Sequence, residues 1–184
     1  MKIPAISGSL RTASINSALL RATLRLAPKG MDIVLFNGVG SLPLFNPDLE
    51  TRVPPQVSAL HSAVAETDAL LIASPEYAHG VTGAMKNVLD WLVSFEPFIH
   101  KPVAIFNASP RAHHADAALR EILKTMSAVI VEAASITIPL LGAGLGEEGM
   151  LDSPVVSGAI RSALTQLHSS VVLQAGQGPT FPLP

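Results

Sequence analysis

The 184-residue sequence contains no cysteine. Disulfides, thiolate metal ligation and cysteine nucleophiles are excluded. The low-molecular-weight tyrosine phosphatases, which also place an anion loop after a first strand, go with them. Redox chemistry on this chain must come from a bound cofactor. Charge is scarce as well: 14% of residues are Asp, Glu, Lys or Arg, against about a quarter in ordinary globular chains. Too few charges to cover a surface suit either a homo-oligomer, which hides part of it, or a compact Ala-rich monomer. The net charge of −2 carries no basic excess, which argues against nucleic acid or an anionic membrane as partner. No apolar run approaches the ~20 residues of a membrane span. Between Lys2 and Ser7 there is no room for the core of a signal peptide. The expectation is a cytoplasmic protein.

What is present is an alternation. Short, nearly all-apolar runs at 3–7, 31–36, 69–74, 103–108 and 134–138 read as parallel strands covered on both faces. Helical periods lie between and after them, marked by Ile15, Leu19, Leu20 and Leu24; by Val57, Leu60 and Val64; by Ala84, Val88, Leu89 and Leu92; by Leu119, Ile122, Leu123 and Met126; and by Val156, Ile160, Leu164, Leu167 and Val171. Asp152 or Ser153 caps the last of these, with Pro154 in its first turn. Repeated βα units predict a doubly wound α/β sandwich, as a single domain over residues 1–173. Pro4 is an oddity, because proline cannot donate to a ladder; it marks the strand's start, or the strand begins at Ala5. The Gly/Pro-rich segment 174–184 is expected to be an extended or disordered tail, or to reach a neighbouring subunit.

The stretch Ile6–Asn16, Ile-Ser-Gly-Ser-Leu-Arg-Thr-Ala-Ser-Ile-Asn, sits where the first strand hands over to the first helix. Hydroxyls and backbone N–H groups converge there at the positive end of a helix dipole, an arrangement suited to phosphate. Arg11 adds a forked cation. The stretch is neither G-x-x-x-x-G-K-[ST] nor G-x-G-x-x-G, so it suits a terminal phosphate held without metal. It equally suits an ordinary helix cap at Ser14 with Arg11 exposed.

Ligands of open α/β sheets bind beyond the carboxyl ends of the strands, so the loops after strands one, three and four should converge. Loop three, Pro75–Gly83, combines a rigid proline, the flat face of Tyr77 and glycines that let a planar ligand approach the backbone; a surface turn with locally packed Tyr77 is the alternative. Loop four runs 107–114. Ser109 can donate to ring carbonyls, and Arg111 can favour an anionic ring or a second substrate's phosphate, or be a solvated charge. His79, His113 and His114 do not suggest a metal: adjacent histidines in a strand-like segment point apart, and no acidic residue stands at ligand spacing. Lys86 and Asp90 read as a helix-surface ion pair. Trp91 reads as core or interface.

Three ordered motifs resemble the NADPH-dependent FMN reductase family, flavodoxin-like flavoproteins that include FMN, quinone, azo and chromate reductases. The pattern G-S-L-R-x-x-S-x-N is met by Gly8, Ser9, Leu10, Arg11, Ser14 and Asn16. L-P-L-[YF]-[ND]-x-D is met by residues 42–48. P-E-Y-x-x-[SG]-x-P-G-x-[LM]-K-N-x-[LI]-D-W is met by Pro75, Glu76, Tyr77, Gly80, Gly83, Met85, Lys86, Asn87, Leu89, Asp90 and Trp91. The resemblance implies a five-stranded parallel sheet in flavodoxin order within a three-layer sandwich. It implies FMN as cofactor, with its phosphate on Ser9, Arg11, Ser14, Ile15 and Asn16. The isoalloxazine would lie against Pro75, Glu76, Tyr77 and Ala78, with Ser109 nearby. It implies a homodimer or tetramer.

The activity so implied is NAD(P)H-dependent flavin oxidoreduction, hydride passing from NADPH or NADH to N5 of FMN and electrons on to a quinone, free flavin, azo or metal-oxyanion acceptor. No protein side chain is a catalytic acid or base in that scheme, and Arg111, His79 and His113 are candidate second-substrate contacts. The sequence departs from the pattern at Ala78, where Asn is common, at Thr82, where Pro is common, and in loop four, which reads Ser-Pro-Arg-Ala-His-His rather than Gly-Gly. A flavodoxin-type electron carrier and a flavin-binding scaffold with little activity are the alternatives.

Overall fold

The computed structural model describes residues 1–176. Its central sheet is parallel. It contains β1 (Lys2–Ser7), β2 (Asp32–Leu35), β3 (Leu70–Ala73), β6 (Pro102–Asn107), β7 (Val129–Ile130) and β8 (Ile136–Thr137), in the order β2-β1-β3-β6-β7 with β8 also on β6. A separate hairpin pairs β4 (Glu76–Tyr77) with β5 (Gly80–Val81). Among the described residues there are six α-helices: α1 (Ile15–Leu26), α2 (Pro55–Ala65), α3 (Gly83–Asp90), α4 (His113–Thr125), α5 (Glu147–Asp152) and α6 (Pro154–Gly176).

The alternation of side chains along each strand builds two cores. Ile3 and Ala5 of β1, Leu71 and Ala73 of β3, and Ala104 and Phe106 of β6 face α1, α5 and α6. Ile6, Leu70, Ile72, Val103 and Ile105 face the other way, onto α2, α3 and α4. Along β1, β3 and β6 both faces are buried, which is why these central strands carry no polar alternation. This is the expected three-layer flavodoxin-like sandwich.

Its fifth strand position differs from expectation, and the strand count is six rather than five. The run 134–138 is not one strand. The chain pairs with β6 first as β7 (Val103↔Ile130) and again as β8 (Phe106↔Ile136). A 3₁₀ turn at Glu132–Ala134 separates the two. Ser135 fills the gap in the ladder: its hydroxyl accepts from the Ile105 N–H at 3.1 Å and donates to the Val131 carbonyl at 3.0 Å. Pro4 lies inside β1, which begins at Lys2, so the alternative start at Ala5 is corrected. Proline is tolerated because the β3 ladder begins one residue later, at Ala5↔Leu71. The segment expected as a tail from 174 continues α6 as far as Gly176, where the Gln174 amide donates to the His100 carbonyl at 3.1 Å; the rest of that segment lies outside the described residues. Among those residues no helix is long and apolar enough to cross a membrane.

Candidate functional site

At the carboxyl edge of the sheet, β1 ends against β3. The Gly8 N–H donates to the Ala73 carbonyl at 2.8 Å. A Cβ on Gly8 would lie 2.2 Å from Ser74 Oγ, so only glycine permits this approach. From here the chain rises through Ser9 and Arg11 and returns at Ser14, the N-cap of α1, whose side chain accepts from the Ser17 N–H at 3.3 Å. Ile15 and Asn16 open the helix. Among the described residues no protein acceptor takes their N–H groups, as expected of a first turn. The Asn16 amide oxygen is buried without a hydrogen-bond donor.

Loop three folds into the hairpin of β4 and β5. Its two-residue turn, Ala78-His79, has φ of 49° and 60°, the left-handed sign that a tight hairpin turn requires at both positions. Glu76 anchors this hairpin to α4. Ala112, at the helix N-cap, supplies no side-chain bond, and the Glu76 carboxylate instead accepts from the Ala115 N–H at 2.9 Å. That bond, together with the nearby His114 and His79, holds the Glu76 carboxyl below the usual carboxylate range, outweighing the opposing effect of desolvation. Loop four is shaped by Asn107. Its Oδ1 accepts from the Ser109 N–H at 2.9 Å, and its amide nitrogen donates to the Ala112 carbonyl at 3.4 Å.

These loops meet around one cavity of about 430 Å³. Ser9, Arg11, Ser14, Ile15 and Asn16 line it from loop one, Pro75, Glu76 and Tyr77 from loop three, and Ser109 and Arg111 from loop four. Every expected cofactor residue except Ala78 is therefore on its wall. Ala78 sits at the hairpin turn beyond it. Arg111 shares the same cavity as Arg11, and neither guanidinium has a protein hydrogen-bond partner among the described residues. Tyr77 is 57% exposed, so its ring is free at the rim rather than packed locally.

His79 and His113 do not line the cavity. They belong to a cluster: His79 stacks on His114 at 4.4 Å between ring centroids, and His113 lies tilted against His114 at 4.1 Å. The expectation that the adjacent pair would diverge is corrected, because residues 113 and 114 open α4 instead of lying in a strand-like segment. Among the described residues no three His, Asp or Glu side chains group to hold a metal ion.

The sequence reading missed Leu141 on the cavity wall. It lies in the loop after β8, where the apolar run Ile138-Pro139-Leu140-Leu141 reads as core and carries no signal for a site. Asn107 and Ala112 also line it; strand-terminating Asn107 was legible only as part of loop four. Beside this cavity lies a second groove of about 580 Å³ between α1 and the loop 140–147. It is bordered by the Arg21–Glu147 ion pair at 2.7 Å.

Residues 1–140 match the family described as NADPH-dependent FMN reductase. An NAD(P)H-dependent FMN reductase of Pseudomonas aeruginosa is 41% identical over 112 residues, covering 59% of this chain and 60% of the relative. A quinone reductase of Escherichia coli K12 is 32% identical over 113 residues, with 59% and 60% covered. The match thus spans about 60% of the length of these curated relatives. In fold, the chain superposes on the flavoenzyme NAD(P)H:(acceptor) oxidoreductase FerB of Paracoccus denitrificans with a TM-score of 0.75 at 24% identity, over 91% of this chain and 97% of that one.

Proposed function

The chain belongs to the NADPH-dependent FMN reductase family, and on that footing we propose that it is an NAD(P)H-dependent flavin oxidoreductase whose cavity holds FMN. The observation that carries this reading is the convergence of three loops, drawn from distant parts of the chain, on one cavity of about 430 Å³, within the range of about 300–1,000 Å³ usual for cofactor sites.

The residues fit the group. The phosphate would be held by the hydroxyls of Ser9 and Ser14, the first-turn N–H groups of Ile15 and Asn16, and the guanidinium of Arg11. A buried acceptor without a donor, such as the Asn16 oxygen, costs about 1–3 kcal/mol, and a hydroxyl-bearing chain beside the phosphate would supply that donor. Pro75, Glu76 and Tyr77 give the ring a rigid platform, and Ser109 a hydrogen-bonding edge. Bound there, FMN supplies two-electron chemistry at N5, between a reduced nicotinamide and a quinone, free flavin, azo or metal-oxyanion acceptor. The protein positions and binds, and no side chain of the cavity is assigned as a proton donor or acceptor in the reaction. Exposed Tyr77 and unpaired Arg111 present a flat face and a cation to the second substrate. The low charge content, together with Leu44 at 84% and Val155 at 81% exposure, supports a homo-oligomer.

Flavin fluorescence titration tests the assignment. Arg11→Ala should weaken FMN by a charge-assisted contact, about 1.5–3 kcal/mol, while Arg111→Ala should change the KM for nicotinamide or acceptor more than FMN affinity. Unchanged FMN affinity in Arg11→Ala would remove that residue from the phosphate site.

A further inference from the structure

We propose that Thr82 is a positioning residue, whose hydroxyl holds the phosphate loop and the ring loop at the fixed separation a two-ended ligand needs. The proposal rests on the reading of the cavity as an FMN site. Thr82 is 3% exposed and caps α3, directly after the β4–β5 hairpin. Its Oγ1 donates to the Gly8 carbonyl at 2.7 Å and accepts from the Met85 N–H at 3.2 Å. Gly8 is the last residue before the phosphate cradle, and its own N–H is already held by Ala73. Both polar groups of Gly8 are therefore held by residues that flank the ring platform in sequence, Ala73 at the end of β3 before it and Thr82 after the hairpin. The close fit of Gly8 against Ser74 leaves that junction no room to slide.

Among the described hydrogen bonds, this hydroxyl links the two halves of the cavity across 74 residues of sequence. On that reading the phosphate would lie on Ser9–Asn16 and the ring on Pro75–Tyr77, so a ligand spanning both gains from their being pre-set relative to one another. A ligand that uses only one half gains nothing from the clasp. Loss of the hydroxyl should then act on the spanning ligand alone.

The experiment compares wild type, Thr82→Ser, Thr82→Val and Thr82→Pro, each titrated with FMN, riboflavin and inorganic phosphate. Proline is admissible because φ at Thr82 is −61°, within its fixed range. Affinities are referred to the fraction with native circular dichroism. The expected result is FMN about tenfold weaker in Thr82→Val and Thr82→Pro, riboflavin and phosphate within about twofold of wild type, and FMN affinity retained in Thr82→Ser. Equal FMN affinity in all four proteins overturns the proposal. So does a parallel loss of all three probes, the mark of general loosening. Wild type that binds FMN no better than riboflavin or phosphate overturns the FMN reading, and the proposal with it.

Discussion

The indole N–H of Trp91 donates to the carbonyl oxygen of Pro43 at 2.8 Å. One turn earlier on the same helical run, Asn87 donates to that oxygen at 3.0 Å and accepts from the Phe45 N–H at 2.8 Å. Phe45 then meets Trp91 edge to face at 5.0 Å. The long loop after β2 is thus locked onto α3, which explains why the Leu-Pro-Leu-Phe-Asn and Lys-Asn-x-Leu-Asp-Trp motifs occur together. Asn87→Ala should leave the Phe45 N–H without its acceptor and lower stability by about 1–3 kcal/mol, read from the urea midpoint. A loss below about 0.5 kcal/mol, the size of an ordinary surface change, would mean the lock contributes little.

Glu76 gives a pH-dependent prediction. Its folded-state pKa is lowered, first by the Ala115 N–H. The stability it contributes is therefore complete above the ordinary carboxylate value of about 4.3 and is lost as pH falls through the lower folded value. Glu76→Ala should lower Tm at pH 7, and the gap to wild type should narrow below about pH 4. A gap that keeps its size from pH 7 to pH 3 would contradict the assigned cap.

The hairpin turn carries backbone strain. Ala78 and His79 are both left-handed, a conformation that costs L-residues other than Asn, Asp and Gly about 1–2 kcal/mol each. Ala78→Asn should stabilise the protein by up to about 1 kcal/mol, and Ala78→Val should destabilise it. Chemical unfolding of the pair reads this directly, and the reverse order would show that the turn is not strained.

The layered sheet was legible because its central strands β1, β3 and β6 are buried on both faces, so Ile3–Ser7 and Val103–Ala108 stand out as apolar runs. The cavity-lining loops were legible because strand ends fix where such clefts form, and because Gly8 and Ser14 each do a job few other residues can. The hairpin was not legible: a tight turn is announced by Asn-Gly or Asp-Gly, and Ala78-His79 is neither. The split fifth strand was hidden because a side chain, Ser135, replaces a backbone partner. The histidine cluster depends on the β4–β5 turn and the start of α4 meeting in space, which spacing alone does not encode. Gln174–Gly176 looked like tail because glycine and proline crowd residues 176–184, yet the periodicity of α6 carries the helix past Leu173.

The central claim is that the cavity holds FMN which a reduced nicotinamide can reach. The most direct test is the visible spectrum of FMN-loaded, desalted protein under anaerobic conditions, before and after NADPH. The account predicts that the flavin spectrum is retained through desalting and bleaches promptly on addition of NADPH. A retained spectrum that does not bleach with NADPH or NADH would contradict the reductase assignment and favour an electron carrier. Loss of the flavin on desalting would contradict tight binding in the cavity.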